Sequence, residues 1–196
     1  MRDAIISRKT NETDVRVELA LDGSGRADID TGCGFLDHML ALFATHGRFD
    51  LTVAASGDAH VDFHHTTEDV GIALGQAFRG ALGEGRGVRR YGSALLPMDE
   101  ALVLVSVDVS GRAHLGFDLP ITQQRVGDFD TELTREFFSA LVRSLPFTLH
   151  IRLQCGENAH HIIEAAFKGT ARAIAQAIAV DEAAPGEIPS SKGVLL

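Results

Sequence analysis

A five-residue pattern occurs twice in this chain, as His64-His65-Thr66-Thr67-Glu68 and as His160-His161-Ile162-Ile163-Glu164. The copies stand 96 residues apart in a chain of 196, and each opens a long helical pattern. Two neighbouring imidazoles followed one helical turn later by a carboxylate form a set of metal-binding donors. One such set is close to even odds, because His pairs also arise by chance at helix starts. Two sets at matching places in otherwise diverged halves point to a duplicated protein with a duplicated metal site.

The likeness extends around both motifs. Phe49-Asp50-Leu51-Thr52-Val53 lines up with Phe147-Thr148-Leu149-His150-Ile151, and both alternate as strands do. Each strand follows a helical pattern, Phe35 to Thr45 in one half and Leu133 to Ser144 in the other. Each leads through a loop containing Gly57 or Gly156 into a second helix, His64–Leu82 or His160–Ile178. Upstream, Val15 to Leu19 and Ala27 to Asp30 read as strands, as do Ala101–Val109 and Ala113–Phe117. Each half therefore reads βββαβα, with residues 1–86 as the first half-repeat and 87–196 as the second, including a C-terminal tail. The join near Gly85-Arg86-Gly87 is too short for a linker, so the halves form one catalytic unit. The fold class is α+β, an internal duplication with helices packed between two sheets.

Composition narrows the function. The formal net charge of −9 leaves no broad basic surface for nucleic acid or an anionic membrane. A small anion site built from a few local cations is still allowed. The longest apolar runs, such as Ala101 to Val105, are too short to span a bilayer. Met1-Arg2-Asp3-Ala4 runs into Ile5-Ile6-Ser7-Arg8 with no apolar signal segment. Cys33 and Cys155 make no close-spaced zinc pattern and read as two reduced thiols. The expected location is cytoplasmic. With no Trp, one Tyr and eleven Phe, aliphatic and Phe packing must dominate the core.

Successive helical residues diverge by about 100°, while residues three or four apart share a face. His64 therefore aligns with Glu68, and His65 does so less closely. His64 and His65 point apart, which suits two different ions, one to each side. By repetition His160 and His161 do the same. Imidazole with carboxylate accommodates Mn, Fe, Zn, Co or Ni; octahedral Mn²⁺ with ligand positions left for substrate is preferred. His38 aligns in the repeat with Glu136, each opening the shorter helix of its half, and each can supply a ligand. Asp37 reads as a local cap or as a partner behind the ligands, and not as a ligand. Lys168, four residues past Glu164, lies on the metal-binding face of its helix.

The segments Gly34-Phe35-Leu36-Asp37-His38-Met39-Leu40, His64 to Gly75, His160 to Ala165 and Pro189-Ser190-Ser191-Lys192-Gly193 resemble the imidazoleglycerol-phosphate dehydratase family over nearly the whole chain. The resemblance implies a duplicated fold of the ribosomal-protein-S5-domain-2 type. It implies a homo-oligomer, a 24-mer built from trimers, with two Mn²⁺ per active site and ligands drawn from more than one subunit. The ligands carried over are His38, His64, His65, Glu68, Glu136, His160, His161 and Glu164. Some relatives have His where this chain has Glu136, and a carboxylate also binds Mn²⁺.

The implied reaction is carbon–oxygen lysis in histidine biosynthesis. D-erythro-imidazole glycerol phosphate, a small phosphorylated imidazole, loses water to give imidazole acetol phosphate. The lost C–H is not acidified by a carbonyl, and hydroxide is a poor leaving group. Two metal ions would stabilise an imidazolate, which expels the adjacent hydroxyl through a diazafulvene intermediate. Glu12 is the implied proton shuttle, and it joins His64, Glu68, His160 and Glu164 in the catalytic set. On sequence alone Glu12 is an ordinary exposed carboxylate. Substrate and phosphate contacts are implied for Glu12, His38, Arg90, Arg112, Lys168, Ser190, Ser191 and Lys192, the last three as a lid over this site or a neighbour's. Two rivals stand beside this reading: a structural oligomer joined by metal, and a metallohydrolase of phosphate esters.

Overall fold

The computed structural model describes residues 2–196. The first half contains β1 (Asp3–Lys9), β2 (Thr13–Ala20), β3 (Ala27–Asp30), α1 (Gly34–Gly47), β4 (Asp50–Gly57) and α2 (His64–Leu82). The second contains β5 (Tyr91–Met98), β6 (Ala101–Asp108), β7 (His114–Asp118), a hairpin of β8 (Arg125–Val126) and β9 (Phe129–Asp130), then α3 (Leu133–Ser144), β10 (Thr148–Cys155) and α4 (Ala159–Ile178). The expected α+β duplication is present. The hairpin between β7 and α3 is an addition without a counterpart in the first half. Its two-residue strands are too short to carry a periodic signal.

The two four-stranded sheets share one topology, β1-β2-β4-β3 and β5-β6-β10-β7. The last-placed strand runs parallel to its neighbour in each, β3 to β4 and β7 to β10, while the other pairs are antiparallel. A parallel pair needs a crossover, and α1 and α3 supply it. Alternation along β2 and β6 sends Val15, Val17 and Leu19, and Val103, Val105 and Val107, to the inner faces. α2 packs on β1 and β2, and α4 on β5 and β6. Across the centre α2 meets α3 and α1 meets α4, so the helices fill the space between the sheets.

Phenylalanine organises both halves of this core. Phe43, Phe49 and Phe78 form one cluster, with ring centroids 5.2 to 6.0 Å apart. Phe137, Phe138 and Phe167 form the other, at 4.8 to 5.3 Å. The α2–α3 contact is closer than side chains normally allow. A Cβ placed on Gly71 would stand 2.7 Å from the Phe137 carbonyl oxygen, and one on Gly75 would stand 2.7 Å from that of Leu141. Glycine spaced by four residues lets the backbones of the two helices touch.

Asp50 closes the turn between β2 and β3. Its Oδ1 accepts from the backbone N–H of Ser24 at 2.8 Å and of Arg26 at 3.0 Å, and its Oδ2 from Arg26 Nη2 at 2.7 Å. The Arg26 guanidinium, then the backbone donors, hold its carboxyl well below the ordinary carboxylate range. Between the folded and unfolded values the unfolded chain binds more protons. The stabilisation is therefore complete above the ordinary pKa of 3.8 and disappears as pH falls through the folded value. Asp50→Asn should lower the melting temperature at pH 7 and leave the difference from wild type shrinking below pH 4, as read by thermal scans across pH.

Candidate active site

Both HHxxE helices are started by a polar side chain just upstream. Asp62 Oδ1 accepts from the His64 backbone N–H at 2.7 Å, and Asn158 Oδ1 accepts from that of His161 at 3.3 Å. These contacts satisfy donors that a helix start leaves free. The neighbouring rings diverge in both copies. Centroids of His64 and His65 lie 6.0 Å apart at 85°, and those of His160 and His161 lie 6.2 Å apart at 75°. The duplication thus persists to the orientation of the imidazoles.

α1 and α4 bring three donors together. His160 Nε2 is 3.0 Å and His38 Nε2 3.6 Å from Glu164 Oε2, and one atom from each residue falls within 4.8 Å of the others. Phe35 sets its ring edge-on to His160 at 5.1 Å, and Phe129 from the β8–β9 hairpin backs Phe35 at 5.2 Å. Glu164 is buried, and its other oxygen contacts the Lys168 ammonium. Burial raises its carboxyl pKa, but Lys168 and His160 outweigh that and hold it below the ordinary value. Two imidazole nitrogens and an ionised carboxylate are a donor set that fits a divalent first-row ion such as Mn²⁺.

The second members of the pairs, His65 and His161, have carboxylate partners of their own. His65 Nδ1 is 2.9 Å from Asp58 Oδ2, with Glu12 Oε2 farther off at 3.8 Å. His161 Nδ1 is 2.6 Å from Glu100 Oε2. Hydrogen bonds to Asp58 and Glu100 raise the pKa of His65 and His161 respectively, and His161 in turn draws Glu100 down to about 2.

Other expected members are not gathered within one chain. Glu68 pairs with Arg143 Nη2 of α3 at 2.6 Å. Glu136 lines a separate open cleft with Phe117, Asp118 and Arg135. Among the described residues, His38, His160 and Glu164 are the group of three that converges. Arg90 donates to Asp108 at 2.8 Å and to the Pro189 carbonyl at 2.8 Å, and Arg112 lies 3.7 Å from the same Asp108. Ser190, Ser191 and Lys192 follow that carbonyl. The Arg90 N–H bonds the carbonyl of Ala177, seventeen residues along α4 from His160. At 1.5 Å per residue this separates the cation cluster from the histidines by about 25 Å. Within one chain the tail therefore does not cover His160 and His161 of that chain. Arg90 also holds φ at 74°, a left-handed backbone that a non-glycine residue adopts only when its surroundings impose it.

Four acidic residues escaped the sequence reading. Asp69 is buried, accepts from Arg8 Nε at 2.9 Å and from the Thr13 hydroxyl, and so ties the β1–β2 turn that carries Glu12 onto α2. Its one signal was a charge inside the apolar stripe of a helix. Glu100 occupies the place in β5–β6 that Glu12 has in β1–β2, directly before the second strand of its half. Extending the repeat alignment to those turns would have found it. Asp58 and Asp108 carried no signal. Asp37 is a local tie, but to the turn before α1 and not to the helix: its Oδ1 accepts from Thr31 N–H at 2.8 Å.

Comparison with known proteins bears directly on this arrangement. A family profile described as imidazoleglycerol-phosphate dehydratase matches residues 31–174. The imidazoleglycerol-phosphate dehydratase of Desulforamulus reducens is 57% identical over 194 residues, 99% of this chain and 98% of that protein. The one of Azorhizobium caulinodans is 58% identical over 195 residues, 100% of this chain and 99% of its own. The crystal structure of the Staphylococcus aureus enzyme superposes with a TM-score of 0.81 at 40% identity, covering 90% of this chain and 99% of that one. The Pyrococcus furiosus structure, in complex with (S)-C348, gives 0.81 at 41%, covering 97% and 100%. With the profile spanning most of its length, and relatives alike from end to end, the chain belongs to the imidazoleglycerol-phosphate dehydratase family and is a hydro-lyase.

Proposed function

We propose that this chain dehydrates D-erythro-imidazole glycerol phosphate to imidazole acetol phosphate in histidine biosynthesis, as a cytoplasmic homo-oligomer with two Mn²⁺ per active site. The observation that carries the reading is the convergence of His38, His160 and Glu164 in a member of this family. His38, His160 and Glu164 would hold one ion; His64, His65, Glu68, Glu136 and His161 are the donors available to complete the pair. Bound Mn²⁺ supplies Lewis acidity to the imidazole ring of the substrate.

The protein's own groups account for the rest of the chemistry. Glu12 stands on an exposed turn, 3.8 Å from His65 Nδ1, close enough to the imidazoles to serve a substrate held there. With the substrate ring as its imidazolate, the protonated Glu12 donates to the hydroxyl leaving the carbon next to the ring, which departs as water and leaves a neutral diazafulvene-like ring. The regenerated carboxylate then takes the proton from the neighbouring carbon, giving the enol that becomes the ketone. Lys168, Arg90, Arg112, Ser190, Ser191 and Lys192 supply donors for the phosphate.

The separation of about 25 Å along α4 supports an oligomeric site, because a small phosphorylated imidazole cannot reach both clusters of one chain. Symmetric association would bring one copy's Arg90 cluster to another copy's histidines. A 24-mer built from trimers is the assembly proposed. Removal of residues after Ile188 should then raise KM by about tenfold or more through loss of charge-assisted contacts, and an unaltered KM would refute the lid.

Incubating the Mn²⁺-loaded assembly with imidazole glycerol phosphate tests the whole reading. Formation of the ketone without free phosphate is expected. Release of phosphate would instead assign a phosphate-ester hydrolase, and no conversion would leave a structural metal oligomer.

A further inference from the structure

The second histidine of each pair, His65 and His161, is gripped at Nδ1 by a carboxylate, and the grip comes from different parts of the two halves. Asp58 follows β4 in the first half, whereas Glu100 sits in the β5–β6 turn of the second. A carboxylate only accepts, so Nδ1 must carry the proton in both rings. That leaves Nε2 as the position for a metal ion. From this geometry we infer that Asp58 and Glu100 are positioning residues that fix the tautomer and direction of His65 and His161, and that Asp58 has displaced Glu12 from this task.

The inference rests on the two-metal reading above and deepens it. Glu12 and Glu100 are repeat counterparts, each directly preceding the second strand of its half. Glu100 still performs the holding task. Its Oε2 meets His161 and its Oε1 accepts from the Asn158 N–H at 2.9 Å, so both oxygens are fixed. Asp99 Oδ2 is 3.7 Å from His161 Nε2, beyond hydrogen-bond reach. In the first half Asp58 stands at 2.9 Å from His65 and Glu12 only at 3.8 Å. Asp58 Oδ1 is buried and has no hydrogen-bond partner among the described residues. Packing alone therefore does not explain a carboxylate at this position; His65 is the group it serves. Glu12, relieved of the ring, is exposed and available for proton transfer. The two counterpart positions thus carry different tasks, a holder at Glu100 and a shuttle at Glu12.

Carboxylates behind metal-binding histidines typically govern metal affinity by about 10–100-fold. The test is calorimetric Mn²⁺ titration of the metal-free assembly for wild type, Asp58→Asn, Glu100→Gln and Glu12→Gln. Melting temperatures of the metal-free proteins and visible spectra of the Co²⁺-loaded proteins accompany it. Asp58→Asn and Glu100→Gln should each weaken one of the two sites by about tenfold or more and shift the Co²⁺ bands, with metal-free melting unchanged. Glu12→Gln should leave both affinities in place. Normal wild-type binding with unchanged affinities in both holder variants overturns the inference alone. Equal weakening of both sites together with a lower metal-free melting temperature also overturns it, because that assigns the carboxylates to folding. Absence of Mn²⁺ binding by wild type overturns the two-metal reading and this inference with it.

Discussion

Glu12→Gln is expected to reduce turnover by about 10²–10⁴-fold while metal content and substrate affinity stay close to wild type. The amide retains the size of the carboxylate and one accepting oxygen, but it can neither deliver the first proton nor remove the second. The β1–β2 turn keeps its place because Asp69, through Arg8 and Thr13, anchors it independently of Glu12. Steady-state kinetics alongside metal analysis make the measurement. Near-normal kcat would remove Glu12 from proton transfer. A loss of kcat accompanied by loss of metal would show Glu12 to be a ligand or holder, the role assigned to Asp58.

Gly75→Val should cost about 3 kcal/mol or more, the upper range of overpacking, because the obstructing atoms are backbone. The Leu141 carbonyl oxygen and Ser144 Cβ would each lie 2.7 Å from the new Cβ. Neither can rotate aside, so α2 and α3 must separate. Gly71 meets Phe137 in the same way one turn earlier. Replacing both would remove much of the roughly 5–15 kcal/mol that keeps a domain folded, and soluble yield should collapse. Denaturant unfolding of the Gly75 variant gives the magnitude. A stability within about 1 kcal/mol of wild type would mean that α3 accommodates the change. Because α2 carries His64, His65 and Glu68, the same variant should also disturb metal binding.

Much of the architecture was legible in the order of residues. α2 and α3 begin and end where periodicity placed them, at His64–Leu82 and Leu133–Ser144, and α1 and α4 differ by two residues or fewer at each end. The repeated HHxxE motif announced the duplication, and the divergence of its paired imidazoles followed from 100° per residue. Such features depend on neighbours in the chain, whose directions are set by local backbone geometry. The family was also visible, since its motifs are contiguous strings.

Packing between elements decided the remainder. Alternation does not specify strand order, so the placement of β3 and β7 at the sheet edges beside β4 and β10 came from the fold. His38 acquires meaning only because α1 lies against α4, which sets its ring near Glu164. Glu136 has the matching position on α3, yet Glu68 opposite is taken by Arg143. Asp58 and Glu100 reach their histidines from loops, one seven residues away and the other 61, and loop trajectories leave no periodic trace. The family resemblance assigned the cation cluster to the substrate's phosphate, over this chain's site or a neighbour's. The length of α4 sets Arg90 about 25 Å from His160, and the proposed oligomeric site rests on that distance. Short-range geometry determined which side chains this protein presents; long-range packing, which no local pattern encodes, determined which of them meet.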